Sequence, residues 1–247
     1  MRISRLFVDA PLVSDSDLSL GADAATYLGR VLRVRTGESI VLFDGRGGEY
    51  IAKIVAVNRR VVDLRVGAYV DVSRESPLSI TLLQGLARGE RMDFVVQKAT
   101  ELGVSTIVPV DTARAGVTLD AARREKRRQH WHGIAVAAAQ QSGRTRVPTI
   151  EPITTLDEAV ARLTATTVRL VADTTVGQTA WPANHSKPVA VAVGPEGGFA
   201  DSERQSLAQK GFLSIRLGPR VLRTETAGLT AVAVVQSRYG DLHNDGD

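Results

Sequence analysis

Val193-Gly194-Pro195-Glu196-Gly197-Gly198-Phe199 decides the fold, together with a second turn downstream, Leu217-Gly218-Pro219-Arg220-Val221-Leu222-Arg223-Thr224-Glu225-Thr226-Ala227. An apolar run precedes each, Val189-Ala190-Val191-Ala192-Val193 for the first and Leu213-Ser214-Ile215-Arg216-Leu217 for the second. Both runs read as buried strands, and both turns open into a helix. Glycine at 194, 197 and 198 permits positive φ or close approach of a ligand to the backbone, while Pro195 fixes one φ between them. Two such turns side by side make a bed of backbone N–H and C=O groups at strand ends, where open α/β sheets bind small ligands. The first turn lacks the lysine of a GxxxxGK[ST] phosphate loop and the spacing of a GxGxxG dinucleotide loop.

Working outward, β and α patterns alternate from residue 78 to residue 240, which predicts a mostly parallel sheet with helices on both faces. Met92, Val95, Val96, Ala99 and Leu102 form one apolar stripe on a helix, with Gly103 placed to cap it. A long helix is predicted from about Asp120 to Ser142, and Ser202 with Gln205 fits a capping box for the helix after the first turn. The first 73 residues look different. Short strands and turn clusters, including Ser39–Phe43, Asp44-Gly45-Arg46-Gly47-Gly48 and Glu49–Val57, suggest a small β-barrel with one short helix at residues 22–31. The polar stretch Asp71–Pro77 marks the boundary, giving domains 1–73 and 74–247.

The chain has 247 residues, 43% hydrophobic and 23% charged, which is ordinary globular composition. There are no cysteines, so disulfides and thiolate metal sites are excluded. The N-terminal residues lack the apolar stretch of a signal peptide, and no apolar run approaches the roughly 20 residues that span a bilayer. A cytoplasmic protein is expected, with no membrane partner and no metal. The net charge is +4, but residues 114–146 alone hold eight basic side chains against Asp120 and Glu125. Such concentration suits a polyanion, although a solvated helix face has the same composition.

Four groups carry candidate chemistry. Glu225 sits where a helix N-terminus favours an acid, and Thr224 can serve as an N-cap. Arg223 is a cation where the dipole disfavours one, which points to an anion nearby, either Glu225 or a ligand. Gln140-Gln141-Ser142-Gly143-Arg144-Thr145-Arg146 ends the long helix, either as an ordinary cap or as a phosphate contact. Arg30-Val31-Leu32-Arg33-Val34-Arg35 reads as an alternating strand that gathers three arginines on one face, a costly grouping unless an anion such as RNA or DNA phosphate matches it. His130, His132 and His185 show no metal-ligand spacing and are assigned to surface or core.

Taken together these motifs resemble the RsmE family of 16S rRNA (uracil-N3) methyltransferases of the SPOUT superfamily. The resemblance rests on Arg30-Val31-Leu32-Arg33, Gln97-Lys98-Ala99-Thr100-Glu101-Leu102-Gly103-Val104, Ala139-Gln140-Gln141-Ser142-Gly143-Arg144 and the two turns, five pieces in order over almost the whole chain. It implies a trefoil-knotted α/β domain behind an N-terminal PUA-like β-barrel, and a homodimer that binds S-adenosylmethionine. It also implies methylation of a uridine of the U1498 type in the small ribosomal subunit. Carried onto this chain, the cofactor residues are Gly194, Pro195, Glu196, Gly197, Gly198, Leu217, Gly218, Val221, Leu222, Thr224, Thr226 and Ala227. Glu225 is expected to accept the uracil proton, and Arg223 to steady the uracil anion or the Glu225 carboxylate. RNA phosphates are expected on Arg30, Arg33, Arg35, Arg123, Arg124, Arg127, Arg128, Arg144 and Arg146. Two other functions fit parts of the sequence: a non-catalytic RNA-binding protein, and a nucleotide-dependent enzyme using Gly194–Gly198, which the missing lysine disfavours.

Overall fold

A computed structural model describes residues 4–116, 119–175, 181–182 and 188–242. His185 lies outside them, as do Arg2 and Ile3 of a strand that the sequence predicts over Arg2–Val8, and the last five residues of the polar stretch Gly240–Asp247. The chain forms two compact units. One holds the residues up to Glu75 together with Ala139–Val147; the other holds Ser76–Ala138 and the residues from Pro148 onward.

In the first unit five strands form a single sheet in the order β1-β3-β4-β5-β2. They are β1 (Arg5–Phe7), β2 (Asp17–Leu20), β3 (Ser39–Phe43), β4 (Glu49–Val57) and β5 (Val62–Val70). Only the β1–β3 pair is parallel. Two register shifts between β4 and β5, at Tyr50/Ala52 and Ile54/Ala56, add local twist, and the sheet curls into a half-barrel. Ile40, Leu42, Ile54, Leu64 and Val66 fill its inside with Leu28. Leu28 comes from the turn Tyr27–Val31, a π-helical continuation of α1 (Ala22–Thr26).

That turn corrects the strand expected at residues 30–35. Arg30 closes the helical turn and Arg33 is left-handed at φ 54°, so no period-two arginine face exists. The three arginines are nonetheless exposed, and their guanidinium groups have no partner among the described residues.

Residues 139–147 are bound into this unit by buried polar contacts. The Phe7 N–H donates to Gln140 Oε1 at 3.0 Å, and Gln140 Nε2 donates to the Tyr27 hydroxyl at 2.8 Å. Arg144 is 5% exposed and gives Glu75 two hydrogen bonds of 2.9 and 2.6 Å. The N–H groups of Thr145 and Arg146 donate to the other Glu75 oxygen. Arg144 is therefore not a phosphate ligand, because its guanidinium is spent inside the fold. Arg146 is exposed.

The second unit is a seven-stranded parallel sheet. Its strands are β6 (Ile80–Gly85), β7 (Thr106–Asp111), β8 (Thr149–Ile150), β9 (Thr154–Thr155), β10 (Val168–Ala172), β11 (Val189–Val193) and β12 (Leu213–Ile215). The order is β12-β10-β11-β6-β7-β8, with β9 also on β7. Helices α2 (Arg91–Glu101), α3 (Ala121–Ser142), α4 (Leu156–Ala161), α5 (Asp201–Gln209) and α6 (Thr224–Tyr239) connect them. Every residue of β11 is buried, as a central parallel strand covered on both faces requires. The expected stripe of α2 is buried at Met92, Val95, Val96 and Ala99.

The order of crossing matters most. After β10 the chain returns to place β11 between β10 and β6, then passes outward to β12 beyond β10. From there it comes back so that α6 packs on β6, β11 and α2. The loops that follow β6, β11 and β12 thus converge where α6 begins. The capping box expected at Ser202 and Gln205 is not formed. Glu203 caps α5 instead, accepting from the Ala200 N–H at 2.7 Å and from the Ala113 N–H at 2.9 Å.

Candidate active site

Thr224 is the junction of the converging loops. Its hydroxyl donates to the Gly194 carbonyl at 2.5 Å and accepts from Gln84 Nε2 at 2.8 Å. One side chain thereby ties the end of β6, the first glycine turn and the start of α6. This corrects its expected role. The N-cap position belongs to Arg223, whose backbone is extended and whose side chain makes no cap bond. The packing here leaves no room for side chains. A Cβ on Gly85 would lie 2.5 Å from Pro195 N, and one on Gly228 would lie 2.7 Å from Gln84 Oε1.

Around this junction opens a crevice of about 1570 Å³. All twelve residues expected to hold the cofactor line it, and so do Glu225 and Arg223. Small-ligand pockets run to about 1,000 Å³, so there is space for more than one ligand group. Gly198 and Gly218 both have positive φ, at 67° and 86°, with open space where a side chain would project. Bare backbone thus faces the crevice from both turns. Pro195 and Gly198 close the first turn through an N–H···O bond of 2.8 Å.

Two carboxylates and one arginine dominate the polar wall. Glu196 Oε1 accepts from the Arg88 N–H at 3.0 Å and from Arg91 Nη1 at 2.5 Å. Partial burial pushes the Glu196 carboxyl up, but the N–H groups of Arg88 and of Glu196 itself, with Arg91, outweigh it and hold it below the usual carboxylate range. Arg91 Nε also stands 3.9 Å from Glu225 Oε1. The Glu225 side chain is 13% exposed, and its other oxygen, Oε2, is buried without a hydrogen-bond partner. An unpartnered carboxylate oxygen is costly, and such groups collect at functional sites. The cation beside Glu225 is therefore Arg91; of the two partners the sequence left open for Arg223, Glu225 or a ligand, the pairing with Glu225 is not formed. Arg223 is exposed and unpaired among the described residues.

In the sequence Arg91 is only part of Gly89-Glu90-Arg91-Met92-Asp93, a helix start without a motif. Also missed were Arg114, whose Nη1 donates to the Gly197 carbonyl at 3.1 Å and braces the first turn, and the crevice residues Arg88, Phe94 and Arg204. None belongs to a motif; the fold alone brings them in. Along α3 the basic run divides. Arg124 is tied to Asp111 at 2.5 Å and to the Leu119 carbonyl at 3.1 Å, so it is structural rather than a free phosphate ligand. Arg123 pairs with Asp120 and Arg128 with Glu125 on the surface, and Arg127 is unpaired among the described residues. The described residues hold no cluster of metal-ligating side chains and no helix long and apolar enough to cross a membrane.

A parallel sheet whose crossed strand ends build one crevice from two glycine-bearing turns defines a ligand-binding α/β protein of the SPOUT type. Comparison with known proteins carries this further. A family model described as an RNA methyltransferase domain matches residues 74–236, and one described as an RNA methyltransferase PUA domain matches residues 20–67. A relative from Mycobacterium bovis, ribosomal RNA small subunit methyltransferase E, is 32% identical over 96% of this chain and 92% of its own length. Two solved structures superpose with TM-scores of 0.92, each covering 98% of this chain and 100% of the other. One is a putative methyltransferase from Legionella pneumophila at 38% identity; the other is a ribosomal RNA small subunit methyltransferase E from Neisseria gonorrhoeae at 35%. Both contain S-adenosylmethionine. The chain belongs to the RsmE family of RNA methyltransferases.

Proposed function

We propose that this protein methylates N3 of a uridine of the U1498 type in 16S rRNA of the small ribosomal subunit, with S-adenosylmethionine as donor. It acts in the cytoplasm as a homodimer, with residues 1–73 as a PUA-like RNA-binding domain and residues 74–247 as the methyltransferase domain. The observation that carries the proposal is Glu225, a carboxylate with one buried, unpartnered oxygen, in a crevice whose bare backbone at Gly198 and Gly218 fits a cofactor. The names and bound cofactor of the relatives support the same reading.

When bound, S-adenosylmethionine supplies an electrophilic methyl group. The protein's own work concerns the acceptor. Uracil N3 is a weak acid and mostly protonated at neutral pH, so a base in hydrogen-bonding reach accelerates the reaction. Glu225 takes the N3 proton. Arg91, 3.9 Å from Glu225 Oε1, balances the Glu225 charge. Arg223, exposed on the crevice wall, stabilises the negative charge that spreads to O2 and O4. Leu217, Gly218, Val221, Leu222, Thr226 and Ala227, with Gly194–Gly198, would hold the cofactor.

The test is transfer of labelled methyl from S-adenosylmethionine to small ribosomal subunits from cells lacking the modification, with mapping of the product. Methyl on a uridine N3 is expected; methyl on another atom or none at all contradicts the proposal. The Glu225→Gln variant should retain cofactor affinity by calorimetry while turnover falls about 10²–10⁴-fold. Unchanged turnover would remove Glu225 from this role.

A further inference from the structure

The arginines that line the crevice are not alike. Arg91 is held by Glu196 and Glu225, Arg114 by the Gly197 carbonyl, and Arg204 by Asp201 and the Phe199 carbonyl. Arg88 and Arg220 are different. Both are exposed, and neither guanidinium group has a hydrogen bond or ion pair among the described residues. They come from separate connections, Arg88 between β6 and α2 and Arg220 between β12 and α6. Exposed apolar side chains accompany them. Val221, next to Arg220, is 83% exposed, and Phe94, one turn along α2 from Arg91, is 47% exposed. Both line the same crevice.

Neither feature serves the stability of the fold. Uncommitted guanidinium groups are ready for anions, and an open aromatic face beside them offers a base a surface on which to stack. Proteins that grip unpaired RNA combine these two elements, because only unstacked bases present a free face. A second copy of this chain is the poorer occupant, since the crevice holds more guanidinium groups than carboxylates and its twin would bring like charges together.

We infer that Arg88 and Arg220 hold backbone phosphates of a single-stranded RNA segment at the mouth of the crevice, with Phe94 as the stacking platform for one of its bases. This rests on the reading of the protein as an RNA methyltransferase and adds a grip separate from Arg30, Arg33, Arg35 and α3. Selection for an unpaired target follows, because a duplex can present neither a free base face nor a strand that bends into the crevice.

The test uses the full-length protein and a uridine-containing single-stranded RNA oligonucleotide, with binding followed by fluorescence anisotropy across a salt series. Arg88→Gln and Arg220→Gln should each lower the slope of log affinity against log salt by roughly 0.7, the single-strand value per phosphate contact. Phe94→Ala should weaken binding about 10-fold with the slope unchanged. Cofactor affinity by calorimetry should stay at the wild-type value in all three. A loss that falls on cofactor affinity would assign these arginines to the cofactor's carboxylate and overturn the inference. So would wild-type RNA binding in all three variants, or a change in sedimenting mass, which would make the face a contact between copies. Wild-type protein that transfers no methyl to ribosomal subunits defeats the proposed function. Active wild type with variants that bind RNA normally defeats only this inference.

Discussion

Thr224 makes two buried hydrogen bonds that no other side chain of its size and shape can replace. Valine would leave the Gly194 carbonyl and Gln84 Nε2 without this partner in the interior. Each lost partner costs about 1–3 kcal/mol, so Thr224→Val should lower unfolding stability by about 2–6 kcal/mol in urea titrations. Cofactor affinity should fall with it, because the glycine turn loses its anchor to α6. Glu196 gives a pH signature. Its carboxyl is depressed in the folded state, so the stability it adds is complete above the unfolded value near about 4.3 and is lost as pH falls through the lower folded value. The difference in stability between wild type and Glu196→Gln should therefore be flat from neutral pH down to about pH 5 and shrink below about pH 4. A difference that grows with acid would contradict the assignment. Sequence motifs single out Thr224, Glu225 and Glu196, but they give Thr224 only a capping role, leave the cation beside Glu225 open and name no partner for Glu196. Thr224 reads as a cap because local rules see only its own helix, whereas Gly194 and Gln84 are 30 and 140 residues away. Arg91 escaped notice for the same reason; an arginine at a helix start has no local mark of the two acids it will meet.

Strands and helices were more legible than their partners. The stripe on α2, the bounds of β3 and β4, and the all-apolar β11 follow from periodicity and burial alone. Elements with weak patterns were missed or misjudged. Asp17–Leu20 is a short edge strand with no buried residue, and the Arg30–Arg35 segment, whose Arg30 and Arg33 are three residues apart, leaves a π-helical turn instead of forming a strand. The end of α3 shows why a motif need not be a ligand site. Gln140 and Arg144 look like RNA contacts in sequence, yet both spend their polar atoms on β1, Tyr27 and Glu75. The Arg144–Glu75 pair is buried on both sides, with side-chain exposures of 6% and 14%. Removing one partner of such a pair leaves a buried charge, which costs about 3–5 kcal/mol. Glu75→Gln should lose about that much in chemical denaturation, whereas Glu125→Gln, at the exposed pair with Arg128, should unfold at close to the wild-type midpoint. Equal losses would remove the distinction drawn between the two arginines.

Across the whole molecule, positive charge is placed by function only in part. The basic run in residues 114–146 is partly internal bracing through Arg114, Arg124 and Arg144, while Arg30, Arg33, Arg35 and Arg146 are exposed, with guanidinium groups unpaired among the described residues. A count of charges cannot separate these, because pairing depends on acids brought in by the fold. The order in which strands cross was likewise hidden. Alternation of β and α predicts a parallel sheet but not that β11 inserts between β10 and β6, and that insertion is what sets the two glycine turns side by side. The account therefore stands on one crevice made by both turns. The most direct measurement is a crystal structure of the protein soaked with S-adenosylhomocysteine, the demethylated product. Density lying between residues 194–199 and 217–227, with its sulfur facing Glu225, is the predicted result. Density lodged elsewhere on the protein, or a closed crevice with none, would contradict it.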